Sequence, residues 1–503
     1  MLDFIGVGLG PFNLSLASLL HEKSDLNYLF FDQKTQFEWH SGMQLPNTML
    51  QVPFMADLVS MVDPTSPLSF LNYLKDQQRL YKFYFLEQAQ IARKEYNHYC
   101  QWVADQIDRI QYLSTVTEII PKSYGFEVVV LQDGIQNRYR CRNIVLGTGN
   151  IPSIPDCLKP IVQSHPHRCT HSAYYLDRQD QKRFKKNPEH SQGNVVVIGS
   201  GQSAAEIFLD LFDQQYEYDQ VSTPKFNLNW LTRASGFFPM EYTPLGLEHF
   251  SPDYMKHFYQ FDDLNKNLQL SQQGFLYKGI SAKTIQDIYT KLYHRHILEN
   301  HQATHLHSQS NLIGAEVIEN DRIRLLFQDR VTLAQFSLDA DDVICATGYK
   351  THEFEFLKQL KPLIECNAQG QWQISENFCV EYLGAGQIYV QNMSMHSHGI
   401  GTPDLGLGAY RAATIANQLL GYALYDLTAE AQCFQHFDPL QNPQVKSAKF
   451  QIKAHALQEM QMNTSSESQG LQSSRKIMLQ SPQNQQQNLK KPQSRPFNIE
   501  KSL

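Results

Sequence analysis

The sequence predicts an α/β protein with two Rossmann-like dinucleotide-binding domains and a small helical insertion that binds the substrate. Two segments, beginning at Leu2 and Asn194, each combine a short apolar run, a glycine-rich turn and an apolar stretch with helical spacing. An acidic residue, Asp32, ends the strand candidate that follows the first of these units. Two further strand candidates, ending at Leu146 and Cys345, run into glycine turns and would return the chain to the two sheets.

The first unit has the order of a nucleotide-binding βαβ motif. Leu2–Val7 is predicted as a strand, Phe12–Leu20 as a helix and Tyr28–Phe31 as the next strand. Asp32 follows the last glycine of the turn by 22 residues, close to the spacing of an acid that binds ribose hydroxyls. Glycines at such a turn let a diphosphate approach backbone N–H groups and the positive end of the helix dipole. The turn consists of Gly6, Gly8, Gly10 and Pro11.

The second unit repeats this order but ends on a different residue. Val195–Ile198 is predicted as a strand and Ala204–Phe212 as a helix. The next strand candidate, Leu228–Leu231, is followed by Arg233 two residues later rather than by an acid. An arginine at this point can pair with a ribose 2′-phosphate. The turn contains Gly199, Gly201, Gln202 and Ser203.

The two predicted sites favour different cofactors. Asp32 would accept hydrogen bonds from ribose hydroxyls, which fits FAD or NAD, whereas Arg233 would pair with the 2′-phosphate of NADPH. We therefore expect FAD in the first site and NADPH in the second, with hydride transfer between them. Because no two cysteines form CxxC, electrons could not pass to a redox disulfide. Dioxygen, a quinone or another protein remains as the acceptor.

Composition and charge exclude several classes of protein. The chain has 503 residues, of which 42% are hydrophobic, and this length allows about two to four domains. The formal net charge of −7 argues against nucleic-acid binding, and no apolar run is long enough to span a membrane. The early glycine turn leaves no room for a signal peptide, and the scattered cysteines fit a cytoplasmic location. His396 and His398 lack a third spaced ligand, so we expect no metal.

The predicted domain boundaries follow from these units. The FAD-binding domain would begin with residues 1–190 and carry an aromatic-rich helical insertion at about 36–111. Residues 191–350 would form the NADPH-binding domain with segments of the substrate site. Residues 351–455 would return to the FAD-binding domain and end in C-terminal helices. Residues 456–503 are rich in Gln and Ser, lack periodicity and are predicted to be a disordered tail.

A set of short segments is specific evidence of a protein family when taken together, although each segment alone is weak evidence. They are Asp3–Ala17, Phe37–Met43, Leu50–Phe54, Asp57–Ser60, Asp63–Pro67, Phe70–Tyr73, His171–Ser172, Gly199–Glu206, Leu231–Arg233, Ala346–Tyr349 and His398–Gly401. Together they resemble the siderophore-type amine N-hydroxylases, flavin monooxygenases that act on L-lysine, L-ornithine or simple diamines. The resemblance covers about residues 1–425 and leaves the predicted tail outside.

The resemblance implies roles for residues around the first site. The first glycine turn would hold the FAD diphosphate. Trp39, His40 and Gln51 would line the flavin and the active site. Gln51 and His398 are the residues that we expect to act in catalysis.

The resemblance also implies roles in the second site and in a loop near the flavin. The second glycine turn would hold the NADPH diphosphate, with Arg233 on the 2′-phosphate. The loop Asp404–Gly408 would close over the isoalloxazine ring together with His398, and Asp404 and Leu405 would contact the cofactor.

Three positions depart from the family members that act on amino acids. Lysine and ornithine enzymes usually have a Lys at the position of Ala56, where it binds the carboxylate of the substrate. Ornithine enzymes have an Asn at the position of Leu247 and a Ser at that of Gly406. The carboxylate of an amino acid substrate would lose a charge-assisted contact here, and its desolvation would cost several kcal/mol. A diamine such as putrescine or cadaverine is therefore expected, unless another residue replaces the Lys or the alignment at Leu247 has slipped.

The resemblance implies N-hydroxylation of a primary amine for hydroxamate siderophore biosynthesis. NADPH would reduce FAD, dioxygen would give a C4a-hydroperoxyflavin, and the neutral amine would attack its distal oxygen. An alkylamine has a pKa of about 10.4, so in water at pH 7 it is protonated. A dry apolar pocket is therefore needed to lower this pKa and keep the amine neutral. The far amine of a diamine needs an acceptor, for which Glu241, Glu248 and Asp404 are the candidates.

Two alternatives remain open from the sequence. The chain could be an L-lysine N6- or L-ornithine N5-monooxygenase, or a flavin-binding homologue without catalytic activity. The chain length of a diamine substrate is not determined. The resemblance also suggests a homo-oligomer, either a dimer or a tetramer, with the amine and dioxygen as small-molecule partners.

Overall fold

The computed structural model describes most of the chain. Met1–Phe437 form one compact unit, and every helix and strand named below belongs to it. The predicted tail at 456–503 lies outside the described residues, and the predicted domain boundaries stay predictions. The described residues are 1–177, 193–216, 224–298, 303–428 and 433–439.

Strands and helices alternate along much of the chain, as an α/β fold requires. The strands are β1 (Leu2–Val7), β2 (Tyr28–Phe31), β3 (Met49–Pro53), β4 (Gln90–Ala92), β5 (Ile110–Gln111), β6 (Ser114–Lys122), β7 (Gly125–Gln132), β8 (Ile135–Leu146), β9 (Ile151–Pro152), β10 (Cys169–His171), β11 (Gly193–Ile198), β12 (Phe226–Leu231), β13 (Thr304–His307), β14 (Ser310–Val317), β15 (Ile323–Asp329), β16 (Gln335–Ala340), β17 (Asp342–Cys345), β18 (Tyr349–Lys350) and β19 (Gln387–Val390). The helices are α1 (Pro11–Leu20), α2 (Phe70–Asp76), α3 (Leu80–Leu86), α4 (Arg93–Ala104), α5 (Lys159–Ser164), α6 (Gln202–Gln214), α7 (Pro244–Leu247), α8 (Pro252–Tyr259), α9 (Asp263–Gln272), α10 (Gly274–Tyr277), α11 (Ala282–Leu298), α12 (Met395–His398) and α13 (Gly408–Leu420).

The first sheet is built around β1. Strands β5, β2, β1 and the end of β8 run parallel, and β19 pairs with β8 on its other side. The start of β8 pairs antiparallel with β7, which pairs in turn with β6. The predicted strands β1 and β2 are confirmed, whereas the sequence analysis did not predict the antiparallel extension. Helix α1 packs against α13 and shares a core with Phe4 and Phe30 of the sheet.

The second sheet is parallel throughout, in the order β10, β17, β11, β12, β13. The predicted strand at Asp342–Cys345 is confirmed as β17, which lies beside β11 in this sheet. Helix α6 begins at Gln202, two residues before the predicted start at Ala204. Between β13 and β17 the chain forms the antiparallel sheet β14–β15–β16, which the sequence analysis did not predict.

The predicted insertion is helical and aromatic, as expected. It contains α2, α3 and α4, and the short antiparallel pair β3–β4 closes it. The ring of Phe70 lies within 6.0 Å of the rings of Phe54, Phe83, Tyr73 and Tyr99, measured between centroids. Such a cluster contributes apolar burial and favourable edge-to-face contacts, so the insertion has a core of its own next to the first sheet.

A buried ion pair joins this insertion to the second sheet. Arg93 begins α4, and its Nη1 and Nη2 each donate to one carboxylate oxygen of Glu206 in α6 at 2.9 Å. The two side chains are only 11% and 4% exposed. Arg93 Nη1 also donates to the carbonyl of Met43 at 2.5 Å, and Glu206 Oε1 accepts from Gln202 Nε2 at 3.0 Å. The pair therefore ties the insertion to the start of α6 and to the second glycine turn.

The substitution Glu206→Ala should lower the free energy of unfolding by about 3–5 kcal/mol, because it leaves a buried guanidinium without its acid. Urea denaturation followed by tryptophan fluorescence measures this change. The matched control is Asp339→Ala, which removes a two-bond partner from Arg324 on the exposed surface, where an ion pair contributes little. Equal destabilisation by the two variants would contradict the importance of burial at Arg93.

Candidate functional site

The first glycine turn connects β1 to α1 and leaves the start of the helix open. Gly8 has a φ of +79°, and a Cβ there would lie 2.9 Å from the carbonyl oxygen of Gly147. Gly10, the residue before α1, would place a Cβ no closer than 4.0 Å to the protein atoms of the described residues. Gly8 is therefore needed for the fold, whereas Gly10 leaves space for a ligand. With Pro11 in the first turn, α1 offers free N–H groups and its positive end to that ligand.

Asp32 follows β2, as the sequence predicts, and its carboxylate stabilises the first glycine turn by accepting a hydrogen bond from it. Its Oδ2 accepts a hydrogen bond from the backbone N–H of Leu9 at 2.6 Å, and its Oδ1 accepts from that of Lys34 at 2.9 Å. A carboxylate has about four lone-pair sites, so each oxygen can accept a further bond. The arrangement is compatible with ribose binding, which stays a prediction.

Buried polar groups without partners lie beside this turn. The guanidinium carbon of Arg411 in α13 is 4.2 Å from the centroid of the Phe12 ring, and Arg411 Nε donates to Gln391 Oε1 at 3.3 Å. Within the part of the chain that the structure describes, Arg411 Nη2 and Gln391 Nε2 have no hydrogen-bond partner. Because buried donors are rarely left unpaired, the residues fit an extended ligand that is rich in acceptors, such as a dinucleotide.

The second glycine turn has the same construction. A Cβ on Gly199 would lie 2.2 Å from the carbonyl oxygen of Ala346, so the protein itself requires this glycine. A Cβ on Gly201, the residue before α6, would lie 3.9 Å from its nearest described neighbour, the carbonyl oxygen of Gly279. Gln202 is held inside the protein, since its Oε1 accepts from the N–H of Ser281 at 2.8 Å. The turn is thus fixed, and the space before α6 is open.

Arg233, the residue predicted for the 2′-phosphate, follows β12 and is exposed. Ser203, which was predicted for the diphosphate, is half-buried near the start of α6. The sequence analysis missed Arg330, whose Nη1 donates to the carbonyl oxygen of Arg233 at 3.1 Å. Two guanidinium groups near one strand end make a better phosphate site than one. No local sequence signal could reveal Arg330, because it follows Arg233 by 97 residues.

Two chain segments cross between the sheets and fix the turns relative to each other. After β8 the chain enters β9, and after β17 it enters β18, and these two short strands pair antiparallel. The N–H of Ser153 donates to the carbonyl of Gly348 at 2.9 Å, and Thr347 Oγ1 donates to the carbonyl of Ser153 at 2.5 Å. The first crossing segment contains Gly147, which touches the first turn, and the second contains Ala346, which touches the second turn.

Aromatic rings lie next to the crossing segments. The ring of His40 is 4.6 Å from that of Trp39 and 5.7 Å from that of Tyr349, between centroids. The side chain of His40 is exposed, yet desolvation by the surrounding protein, with the charges of Arg93 and Lys34, lowers the pKa of His40 to about 4. The imidazole is therefore neutral at pH 7.

Gln51 combines a tethered backbone with a free side chain. Its carbonyl oxygen accepts a hydrogen bond from the hydroxyl of Tyr242. Its Nε2 is buried, and no described residue accepts from it. An unpaired buried donor is a candidate to bind a ligand acceptor, which fits the expected position beside a cofactor.

Two of the three departing positions meet in space. Ala56 is 6% exposed, and a Cβ added to Gly406 would lie 4.0 Å from the Cβ of Ala56. The same added Cβ would lie 2.8 Å from Asp404 Oδ1. Leu405, which follows Asp404 in the sequence, packs against the hydrophobic core that contains Phe4 and Phe30. Leu247 ends α7 and is half-buried, and its position at the substrate stays a prediction.

The carboxylate of Asp404 is a charged group in these apolar surroundings. Its Oδ1 accepts from the N–H of Gly406 at 2.7 Å and caps the short 3-10 helix Leu405–Leu407. Burial raises the pKa of Asp404 to about 6, although backbone hydrogen bonds and Arg411 oppose this rise. Arg411 itself is fully buried, and the cost of burying its charge lowers its pKa to about 9.

The other two candidate acceptors accept hydrogen bonds from backbone N–H groups, and the role of Glu241 at the substrate stays a prediction. Glu248 accepts from the N–H groups of Phe434 and Gln435 at 2.9 and 3.0 Å, so it anchors a C-terminal segment. Glu241 Oε1 accepts from the N–H of Thr243 at 2.7 Å and stabilises a turn before α7.

His398, which is expected to act in catalysis, is enclosed by other protein groups. His398 is 1% exposed and stacks on Phe378 with 4.3 Å between ring centroids. Its Nδ1 lies 2.8 Å from Ser397 Oγ and its Nε2 lies 3.2 Å from the carbonyl oxygen of Glu376. Burial lowers the pKa of His398 to about 3. A role in proton transfer would need one of these contacts to open, and it stays a prediction.

The described residues contain neither a cluster of metal ligands nor a helix suited to cross a membrane. No three metal-binding side chains cluster within them, and His396 Nε2 bonds the carbonyl oxygen of Trp372 at 2.8 Å. None of their helices combines the length and the apolar character that a membrane crossing demands.

Comparison with known proteins identifies relatives over most of the chain. The putrescine N-hydroxylase of Shewanella oneidensis is 38% identical over 460 residues, which cover 90% of this chain and 88% of that protein. The putrescine N-hydroxylase of Acinetobacter baumannii is 35% identical, with coverage of 90% and 97%. The cadaverine monooxygenase of Erwinia amylovora, solved with FAD, matches with a TM-score of 0.79 and 32% identity, covering 89% of this chain and 99% of that one.

A structure with an amino acid substrate is also similar. The ornithine N-hydroxylase of Kutzneria sp. 744, solved with reduced FAD, NADP+ and L-ornithine, matches with a TM-score of 0.76 and 27% identity, covering 84% of this chain and 99% of that one. The family model of L-lysine 6-monooxygenase/L-ornithine 5-monooxygenase matches residues 1–351. The chain therefore belongs to the L-lysine 6-monooxygenase/L-ornithine 5-monooxygenase family of flavin-dependent N-hydroxylating enzymes.

Proposed function

We propose that this protein uses NADPH, FAD and dioxygen to hydroxylate one primary amine of an aliphatic diamine, putrescine or cadaverine, in hydroxamate siderophore biosynthesis. The observation that carries the proposal is that Ala56 and Gly406, two positions without a polar side chain, are neighbours, since a Cβ added to Gly406 would lie 4.0 Å from the Cβ of Ala56. Relatives that use amino acids are expected to have a Lys and a Ser at these positions. The putrescine N-hydroxylases and the cadaverine monooxygenase among the similar proteins support the same substrate class.

The cofactors would occupy the two glycine turns. FAD would lie over Gly10, with Asp32 on a ribose, and NADPH would lie over Gly201, with Arg233 and Arg330 near the 2′-phosphate. When bound, the flavin would accept hydride from NADPH and activate dioxygen. The unpaired donors of the first site are compatible with the acceptors of a flavin dinucleotide.

The protein would orient the substrate, exclude water from the site and favour the unprotonated form of the reacting amine. Gln51 would donate from Nε2 to a ligand acceptor, and His40 would line the flavin as a neutral ring. The apolar surface at Ala56 and Leu405 would exclude water and favour the unprotonated form of the reacting nitrogen, since desolvation lowers the pKa of an amine. Orientation next to the cofactor would then supply much of the rate enhancement.

We further infer a cytoplasmic homo-oligomer. A cytoplasmic location fits the need for NADPH and the scattered cysteines, no two of which form CxxC. The oligomeric state can be measured by light scattering, and the proposed chemistry does not depend on it.

The proposed function is tested by separate turnover of putrescine, cadaverine, L-ornithine and L-lysine with NADPH. We expect at least about 100-fold higher kcat/KM for a diamine, because an amino acid would bury its carboxylate without a cation. N-hydroxylated product is measured by mass spectrometry together with NADPH oxidation. A higher kcat/KM for an amino acid would restore that substrate class, and a protein that binds FAD but never oxidises NADPH would be a non-catalytic homologue.

The substitution Ala56→Lys should lower kcat/KM for putrescine by about tenfold or more, because an ammonium would repel a cationic substrate. It should also raise the turnover of L-ornithine, whose carboxylate would gain a partner. Ala56→Met is the matched control, since it adds similar length without charge. If Met and Lys have the same effect on both substrates, bulk rather than charge determines the result.

The substitution Gly10→Ala should reduce the FAD content of the purified protein, whereas Gly201→Ala should raise KM for NADPH by about tenfold or more. Each added methyl group would enter space that the protein leaves open and a diphosphate would approach. Each variant is the control for the other, and thermal denaturation checks that both fold. An exchange of the two effects would reverse the assignment of cofactors.

A further inference from the structure

We propose that Asp404 binds the far ammonium group of the diamine and so selects substrates with a second cationic end. This inference rests on the proposed function and names the group that recognises the part of the substrate that does not react. It assigns to Asp404 a contact with substrate in addition to a place in the loop near the flavin.

The position of Asp404 supports this assignment. One point, the Cβ position of an alanine at Gly406, lies within 4.0 Å of both Ala56 Cβ and Asp404 Oδ1. The carboxylate therefore lies near Ala56, the position where an amino acid enzyme is expected to offer a Lys to the substrate carboxylate. The charge at this place is negative, which suits an ammonium and repels a carboxylate.

The carboxylate has capacity left for a ligand. The N–H groups of Gly406 and Leu407 interact with it, but a carboxylate has about four lone-pair sites in total. Arg411 attracts it electrostatically, yet the Arg411 guanidinium donates to the carbonyl of Thr402 and to Gln391 instead. Burial raises the pKa of Asp404 to about 6, so the acid is ionised at pH 7 but poorly compensated, and a bound ammonium would stabilise it.

Gln51 is the residue expected on the flavin side of the substrate. Its backbone is fixed, because the hydroxyl of Tyr242 donates to the carbonyl oxygen of Gln51. In the proposed binding mode the reacting nitrogen of a short diamine lies on the side of Gln51, and the ammonium group lies at Asp404.

The test compares Asp404→Asn with the wild-type enzyme on putrescine and on n-butylamine, a monoamine of the same carbon chain length. Asn keeps a carbonyl oxygen that can cap Gly406 but removes the charge. For putrescine, kcat/KM should fall by about 10- to 100-fold, mainly through KM, because a charge-assisted hydrogen bond is lost. For n-butylamine the change should stay under about threefold. If n-butylamine is not turned over, its inhibition constant against putrescine replaces its kcat/KM.

Glu248→Gln is the matched control, since it removes another carboxylate charge that the structure engages with Phe434 and Gln435. It should leave the ratio of the two kcat/KM values unchanged. Equal losses on both amines in Asp404→Asn would make Asp404 a structural cap, and no loss on either would remove it from the site. Both results overturn this inference while wild-type activity on putrescine upholds the proposed function. A wild-type enzyme that hydroxylates only amino acids would overturn both.

Discussion

The close approach of backbone to backbone at two glycine turns is the constraint on which the rest of the structure depends. At each turn one glycine touches the end of a neighbouring strand, Gly8 against Gly147 and Gly199 against Ala346, where no side chain could fit. The next glycine of each turn then faces open space at a helix start. Because the touched residues begin the two segments that cross between the sheets, the same contacts that close the fold also fix the two helix starts relative to each other.

Substrate selectivity depends on two positions without polar side chains, Ala56 and Gly406, and on the negative charge of Asp404 beside them. Where Ala56 approaches Gly406, the protein offers no cation of its own from these two positions, and Asp404 supplies a negative charge. Burial makes that charge costly, as the raised pKa of Asp404 indicates. A cationic substrate would relieve this cost, whereas an amino acid would add a second negative charge. Discrimination between the two substrate classes thus needs few residues, since repulsion and attraction act together.

Much of the fold could be predicted from the sequence because the informative patterns are local. The glycine turns, the strands β1 and β17 and the helical insertion each depend on neighbouring residues, and the structure contains all of them. The antiparallel sheet β14–β15–β16 was missed because strand pairing depends on partners that are distant in sequence. The same reason hides the ion pair of Arg93 with Glu206, whose members lie 113 residues apart.

For the candidate site, the sequence predicted the identity of the residues better than their positions in space. The adjacency of Ala56 and Gly406 could not be read from a chain in which 350 positions separate them. The expected position of His398 near the flavin stays a prediction, and sequence alone could not reveal that both of its ring nitrogens have protein partners. The account as a whole is tested most directly by competition between equal concentrations of putrescine and L-ornithine in one reaction with NADPH and dioxygen. We expect N-hydroxyputrescine to exceed N5-hydroxyornithine by about 100-fold. An excess of hydroxyornithine, or consumption of NADPH with hydrogen peroxide as the main product, would contradict the account.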